Sequence, residues 1–237
     1  FTLMRSVLRP RPVMAPIFQD RAWLIALSTF FVSGGLFRVH QQLGPVMLEH
    51  LSDREQVALF QPAFQMIMVL MLCRQAVGMV LIPLFKRALL DEDSAKQQSL
   101  ITQGASAAAI CAALIGAGLL ALGPAGIGFI FGPGFGALYP VLVVMVIGHW
   151  LVLFFGQPGL LLNQAGFEKI TALTSLLTVG LTLAIGIALA PAYGALGAGI
   201  AVSISQLVAT IWQARVCRHR MSLRPEAFDL LRWIPPR

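Results

Sequence analysis

The chain has 237 residues, 57% of them hydrophobic and 11% charged, with a net charge of +7 and a mean hydropathy of +0.80. Soluble domains carry about 25% charged residues, so this composition excludes an ordinary soluble domain and predicts an integral membrane protein. The cations stand at the ends of apolar runs rather than in one patch, which argues against nucleic acid as a partner.

In chain order, residues 1–21 form a basic lead with Arg5, Arg9, Arg11 and Arg21. The lead begins with Phe1 and is longer than that of a secretory signal peptide, with no small-residue cleavage site. A piece of a longer chain, or an incomplete gene product, is expected. Apolar runs then follow at about residues 22–47, 57–85, 100–122, 137–162, 170–190 and 195–213. Each is long enough to cross a hydrocarbon slab of ~30 Å at a helical rise of ~1.5 Å per residue. No segments of about 10 alternating residues suggest a β-barrel. The fold class predicted is therefore an all-α integral membrane protein, a six-transmembrane-helix bundle over residues 22–215, with a basic tail at 216–237.

The connectors have distinct chemistry. Glu49, Asp53, Arg54 and Glu55 lie between the first two runs, and Lys86, Arg87 and Lys96 between the second and third. An uncharged Gly/Pro stretch at 123–136 is expected to lie as a short interfacial helix. The fourth run breaks at Gly156-Gln157-Pro158-Gly159 and ends in the polar loop from Asn163 to Lys169, while Pro191-Ala192-Tyr193-Gly194 makes a tight turn between the last two. Residues 225–233 of the tail are expected to form a short amphipathic surface helix. With both termini cytoplasmic, 14 of the 17 Lys and Arg side chains fall on that side and one, Arg54, on the other. The positive-inside rule favours that orientation.

Several segments resemble a known family. Residues 57–65 followed by Leu81-Ile82-Pro83-Leu84-Phe85 are similar to an aromatic-rich helix with a late proline. Phe131-Gly132-Pro133-Gly134-Phe135 resembles a Phe-Gly segment that precedes the fourth helix of a lobe. Residues 163–169 resemble a turn of small and charged residues, and Tyr193-Gly194-Ala195-Leu196-Gly197-Ala198-Gly199 resembles the entry to a last helix. Together they resemble the C-terminal half of polysaccharide (O-antigen, Wzx-type) flippases of the MATE-like transporter superfamily. The resemblance covers about residues 22–215, and its weight lies in the order and spacing of short motifs. It implies a two-lobed, alternating-access transporter of the bacterial inner membrane. Its cargo would be an undecaprenyl-diphosphate-linked oligosaccharide, and its partners membrane lipid and a missing N-terminal lobe or a second copy. A lipid II flippase, a drug exporter of the same superfamily and a non-transporting scaffold remain as alternatives.

The residues expected to bind such a cargo are Arg38, Arg74, Gln41, Gln42 and His149. Arg38 lies about 16 residues into the first run, roughly 24 Å by helix rise. A cation at that depth costs about 2.5–3.5 kcal/mol on insertion scales. Gly34, Arg38, Gln41 and Gln42 share one helical face, which would line a polar cavity; the competing reading has Arg38 bonding carbonyls or snorkelling. Arg74 lies about 11 residues from the end of the second run and is turned about 100° from Gln75, away from the column Gln61, Gln65 and Gln75. His149 stands mid-span, where a packing role competes with a functional one. His40 points nearly opposite to Arg38 and is the weaker candidate. Polar stripes at Thr171, Thr174, Ser175, Thr178 and Thr182, and at Ser203, Gln206, Thr210 and Gln213, are expected chiefly to join helices.

No Asp or Glu lies within any run, which suits an anionic cargo better than a cationic one. The chain has no Gly-x-Ser-x-Gly elbow, no His-Glu-x-x-His pair and no Walker-type loop, and its four histidines are dispersed. Neither catalysis nor a metal is expected, and three cysteines suggest no disulfide framework.

Overall fold

The computed structural model describes residues 20–227, with side chains described at Phe31 and from residue 34 onward. Nearly all of the basic lead and the tail beyond residue 227 lie outside the described residues. Within them the fold is all-helical: α1 (Asp20–Leu51), α2 (Arg54–Leu90), α3 (Ser94–Ala121), α4 (Gly123–Phe131), a 3-10 turn (Phe135–Leu138), α5 (Tyr139–Phe154), α6 (Pro158–Gln164) and α7 (Glu168–Met221). Four stretches are long and apolar enough to cross a membrane: α2, α3, the run Phe135–Gln164, and α7.

The 54 residues of α7 do not run straight. At Gly194 the backbone takes φ 52° and ψ −131°, which interrupts the helix. The two arms then run back along each other: the Gln213 amide donates to Thr174 Oγ1 at 2.7 Å, and Gly186 lies opposite Ala201. This is the expected tight turn, and it makes α7 a helical hairpin.

All connections alternate between two ends of the bundle. The turns 51–54, 121–139 and 194 gather at one end, where the Gln56 side chain accepts the Ala195 N–H at 2.9 Å. The turns 90–94 and 164–168 and the end of α7 gather at the other, around a cluster of Phe85, Ile101, Leu161, Leu162, Cys217 and Leu223. Lys86, Arg87, Lys169 and Arg215 are all at this second end.

At the centre stands α5, which packs on α2, α3 and α7. Its Leu142, Met145 and Val146 meet Phe60, Ile67 and Leu70 of α2, Ala112 of α3, and Ala198 and Val202 of α7. Small residues let the backbones approach: a Cβ at Gly148 would lie 2.5 Å from the Ser203 side chain, and one at Gly199 3.3 Å from Met145. Apolar residues spared by this core face outward, and Leu72, Met79, Val80, Leu114 and Ile187 are each more than half exposed. Large apolar side chains thus face outward on α2, α3 and α7, helices long and apolar enough to cross a membrane.

The uncharged Gly/Pro stretch forms α4 and the 3-10 turn, with Phe129 91% exposed. The start of the tail is described as far as Ala227. Helix α7 runs to Met221, and Ser222 turns the chain with φ 56°. Residues 222–226 then run without helix, and Leu223, Pro225, Glu226 and Ala227 are buried. Gln98 holds this strap from α3, donating to the Arg224 carbonyl and accepting the Arg224 N–H, each at 2.8 Å. Arg218 pairs with Glu226 across the turn. The surface helix expected at 225–233 lies mostly outside the described residues; the three described, Pro225, Glu226 and Ala227, are buried.

Cys73 and Cys111 are free thiols whose sulfurs lie 3.0 Å apart between α2 and α3. Thiols this close cross-link once oxidised. Copper-phenanthroline treatment of membranes should convert the pair to a disulfide, removing two of three thiols titratable after denaturation; Cys111→Ser should abolish that loss.

Candidate functional site

The break after α5 shapes the site. Helix α5 ends at Phe154, Gly156 takes φ +69°, and Pro158 opens α6 with its ring at the first turn, where no N–H is needed. Only glycine fits at 156: the Pro225 carbonyl of the strap occupies the place of a Cβ, and Ala105 closes the other side. The Gln157 side chain crosses to α2 and donates to the Arg74 carbonyl at 2.8 Å. This interrupts an apolar helix with a polar residue that is itself satisfied.

Beside the break lies a cavity of about 330 Å3. Helix α1 contributes Gly34, Phe37 and His40, α2 contributes Arg74, and the break and α6 contribute Gln157 and Asn163. The first arm of α7 adds Thr171, Ser175 and Thr178, and the second adds Gln206, Thr210 and Gln213. Both polar stripes of α7 therefore reach this space, as well as joining the arms through the Thr174–Gln213 bond.

The chemistry of the lining is one-sided. Arg74 supplies the cavity's one guanidinium and forms no ion pair among the described residues, and no Asp or Glu lines the walls. His40 Nε2 and Thr171 Oγ1 are buried without a hydrogen-bond partner, and both residues line this cavity. A buried polar group left unpaired costs about 1–3 kcal/mol, so two beside an unpaired cation mark where an acceptor-rich ligand would recover that cost. Among the described residues no group of His, Cys, Asp and Glu could hold a metal ion.

Of the residues expected from the sequence, the structure brings only Arg74 to the cavity. Arg38 and Gln42 are exposed and Gln41 is half-buried, and none of the three lines the cavity, although Gly34, expected on their face, does. His40, two residues on, turns inward instead. His149 is buried in the core, its Nδ1 donating to the Met145 carbonyl at 2.8 Å. Trp150 donates to Ala109 and Tyr139 to Leu120, as packing residues do. Gln61, Gln65 and Gln75 are exposed, consistent with the angle that separates them from Arg74. Gln157 and Asn163 were visible in sequence as parts of the break and its loop, but not as walls of a cavity.

No protein-family profile matches the chain, and no curated protein does. The assignment of function therefore rests on the cavity.

The hydroxyls of the first arm can be told apart by mutation. Thr171 Oγ1 has no partner, whereas Thr174 Oγ1 both donates to the Thr171 carbonyl and accepts from Gln213. Thr171→Val should leave thermal stability in detergent unchanged or slightly raised. Thr174→Val should lower it by about 0.6 kcal/mol, the average for a hydrogen bond between membrane helices.

Proposed function

We propose that this chain is one lobe of a polysaccharide flippase of the MATE-like kind, moving a lipid-linked oligosaccharide across the bacterial inner membrane. The observation that carries this reading is the cavity: a polar pocket with an unpaired guanidinium, two unspent polar groups and no carboxylate, beside a broken helix inside an outwardly apolar bundle. Broken helices at membrane depth are tolerated where they line a polar space, and transporters place their sites there. In this reading α1, α2, α3, the run Phe135–Gln164 and the two arms of α7 are six membrane spans. Both ends of the described chain then lie at the cation-rich end of the bundle, which is cytoplasmic by the positive-inside rule.

Arg74 holds the diphosphate of the carrier lipid in this scheme, with His40 and Thr171 bonding its remaining oxygens. Phosphate is the natural partner of a guanidinium, whose fork matches its oxygens. The absence of a carboxylate from the lining disfavours cationic drugs. The second lobe, from a separate chain, a second copy or a preceding segment, completes the translocation path.

The test is complementation in a bacterium lacking its own O-antigen flippase. The full chain is produced alone and together with the remaining lobe of a related transporter. Restored surface glycan supports the proposal. Restored peptidoglycan assembly or drug resistance instead would redirect it to lipid II or drugs. Correctly inserted protein that restores none of the three would leave only the scaffold reading.

A further inference from the structure

Outside the polar cavity, the wall of α7 carries two grooves that share Val208 and Trp212. The first, of about 410 Å3, runs between the arms along Leu177, Leu181 and Ala184. It also touches Thr174, Thr178 and Ser205, but each hydroxyl donates back to its own helix, to the carbonyls of Thr171, Thr174 and Ala201. The trough is therefore apolar in effect. The second groove, of about 520 Å3, continues from Trp212 to the end of α7, where Arg215, His219 and Arg220 line it. Trp212, Arg215 and His219 share one helical face at three- and four-residue spacing. Among the described residues the one ion pair is Arg218–Glu226, so Arg215 and Arg220 keep their charges unspent.

From this continuity we infer that α7 seats an anionic phospholipid, with its phosphate at Arg215 and Arg220 and one acyl chain in the trough. The dimensions agree. The trough extends from Thr174 to Ala184, about 15 Å of helix rise, which is the depth of one leaflet in a slab of ~30 Å. The order of the chemistry agrees as well: cations at the mouth, an indole at the junction, hydrocarbon beyond. Tryptophan belongs at the headgroup boundary, and basic pockets at the cytoplasmic ends of helices hold anionic headgroups. A protein partner seated on this face would meet two unpaired arginines and would need matching carboxylates; a phospholipid brings the anion and the chain in one molecule. The lipid here is a resident and not cargo, so the inference stands apart from the translocation reading.

The test uses Trp212 itself as the probe. Trp23→Phe, Trp150→Phe and Trp233→Phe leave it as the one remaining indole of the four in the full chain. That protein is reconstituted into vesicles containing a minor fraction of brominated phosphatidylglycerol in phosphatidylcholine, or of brominated phosphatidylcholine in phosphatidylglycerol. Bromine quenches an indole only in contact. The expected result is that phosphatidylglycerol is preferred at Trp212 by roughly fivefold to thirtyfold, the scale that two near-surface arginines give. Arg215→Gln with Arg220→Gln should bring the ratio to about one while quenching by phosphatidylcholine persists, and high salt should lower it in the unsubstituted tail. Equal quenching by the two lipids with both arginines present would overturn the proposal, since the trough would then hold ordinary boundary lipid. No quenching by either would also overturn it, because the face would then be covered by protein.

Discussion

Under the proposed flippase function, export of lipid-linked glycan should fall by roughly 10- to 100-fold when Arg74 is replaced by alanine, while the amount of folded protein should stay level or rise. The first half follows from a charge-assisted hydrogen bond to phosphate, worth about 1.5–3 kcal/mol. The second follows from the absence of any carboxylate partner: Arg74 forms no ion pair among the described residues. Removing a cation that is paired inside the protein would leave a buried charge behind and destabilise by about 3–5 kcal/mol. Removing one that is unpaired relieves a cost instead. Export and protein level, measured together, thus separate a ligand-holding arginine from a structural one. Arg38→Ala is the companion variant. Arg38 is exposed and outside the cavity, so its effect on export should be smaller than that of Arg74→Ala. An Arg38 effect as large as that of Arg74 would mean that the path runs along the exposed face of α1, and would sink the assignment of the cavity.

The second large effect is on stability. Gly194→Ala should lower it by about 2–4 kcal/mol, of which about 1–3 come from forcing an L-residue into φ 52°, ψ −131°. The remainder, about 1 kcal/mol, is the hydrogen bond from Ala195 N–H to Gln56, whose Oε1 occupies the place the new methyl would take. Gln56→Ala alone should cost only the smaller share. In the double variant the collision is gone, and Gly194→Ala should cost only its backbone strain. A thermal-melt cycle in detergent reads the difference as a coupling energy of about 0.5–1.5 kcal/mol. Additive losses would mean that Gln56 does not support the turn.

What could be foreseen from residues alone divides along a physical line. The break at Gly156–Gly159 and the turn at Gly194 were legible, because glycine and proline act on their own backbone wherever they stand. Facing was not legible. In an outwardly apolar bundle both the core face and the outer face of a helix are apolar, so hydrophobic periodicity cannot say which way α1 turns. Arg38 looked the better candidate by its depth. Yet the side of α1 that meets the cavity carries Gly34, Phe37 and His40 and leaves Arg38 out, and only packing against α7 decides that. The stripe from Thr171 to Thr182 looked like helix glue and is so at Thr174. At Thr171 the same residue type is left without a partner and faces the cavity. The strap after Met221 was missed for a similar reason: its partner, Gln98, is 126 residues away in sequence.

That strap has a mechanical consequence. Gln98 fastens it to α3, its Pro225 carbonyl rests on Gly156, and the Arg218–Glu226 pair returns it to α7. Three segments far apart in the chain are thereby riveted together beside the polar pocket. Any bending at the α5–α6 joint must lift the strap or carry α3 and α7 with it, so this end moves as a block. At the far end Gln56 fastens the Gly194 turn and Tyr139 the end of α3, but no side-chain hydrogen bond reaches α4 among the described residues. A rocking lobe of this build would pivot about its riveted end and swing the other.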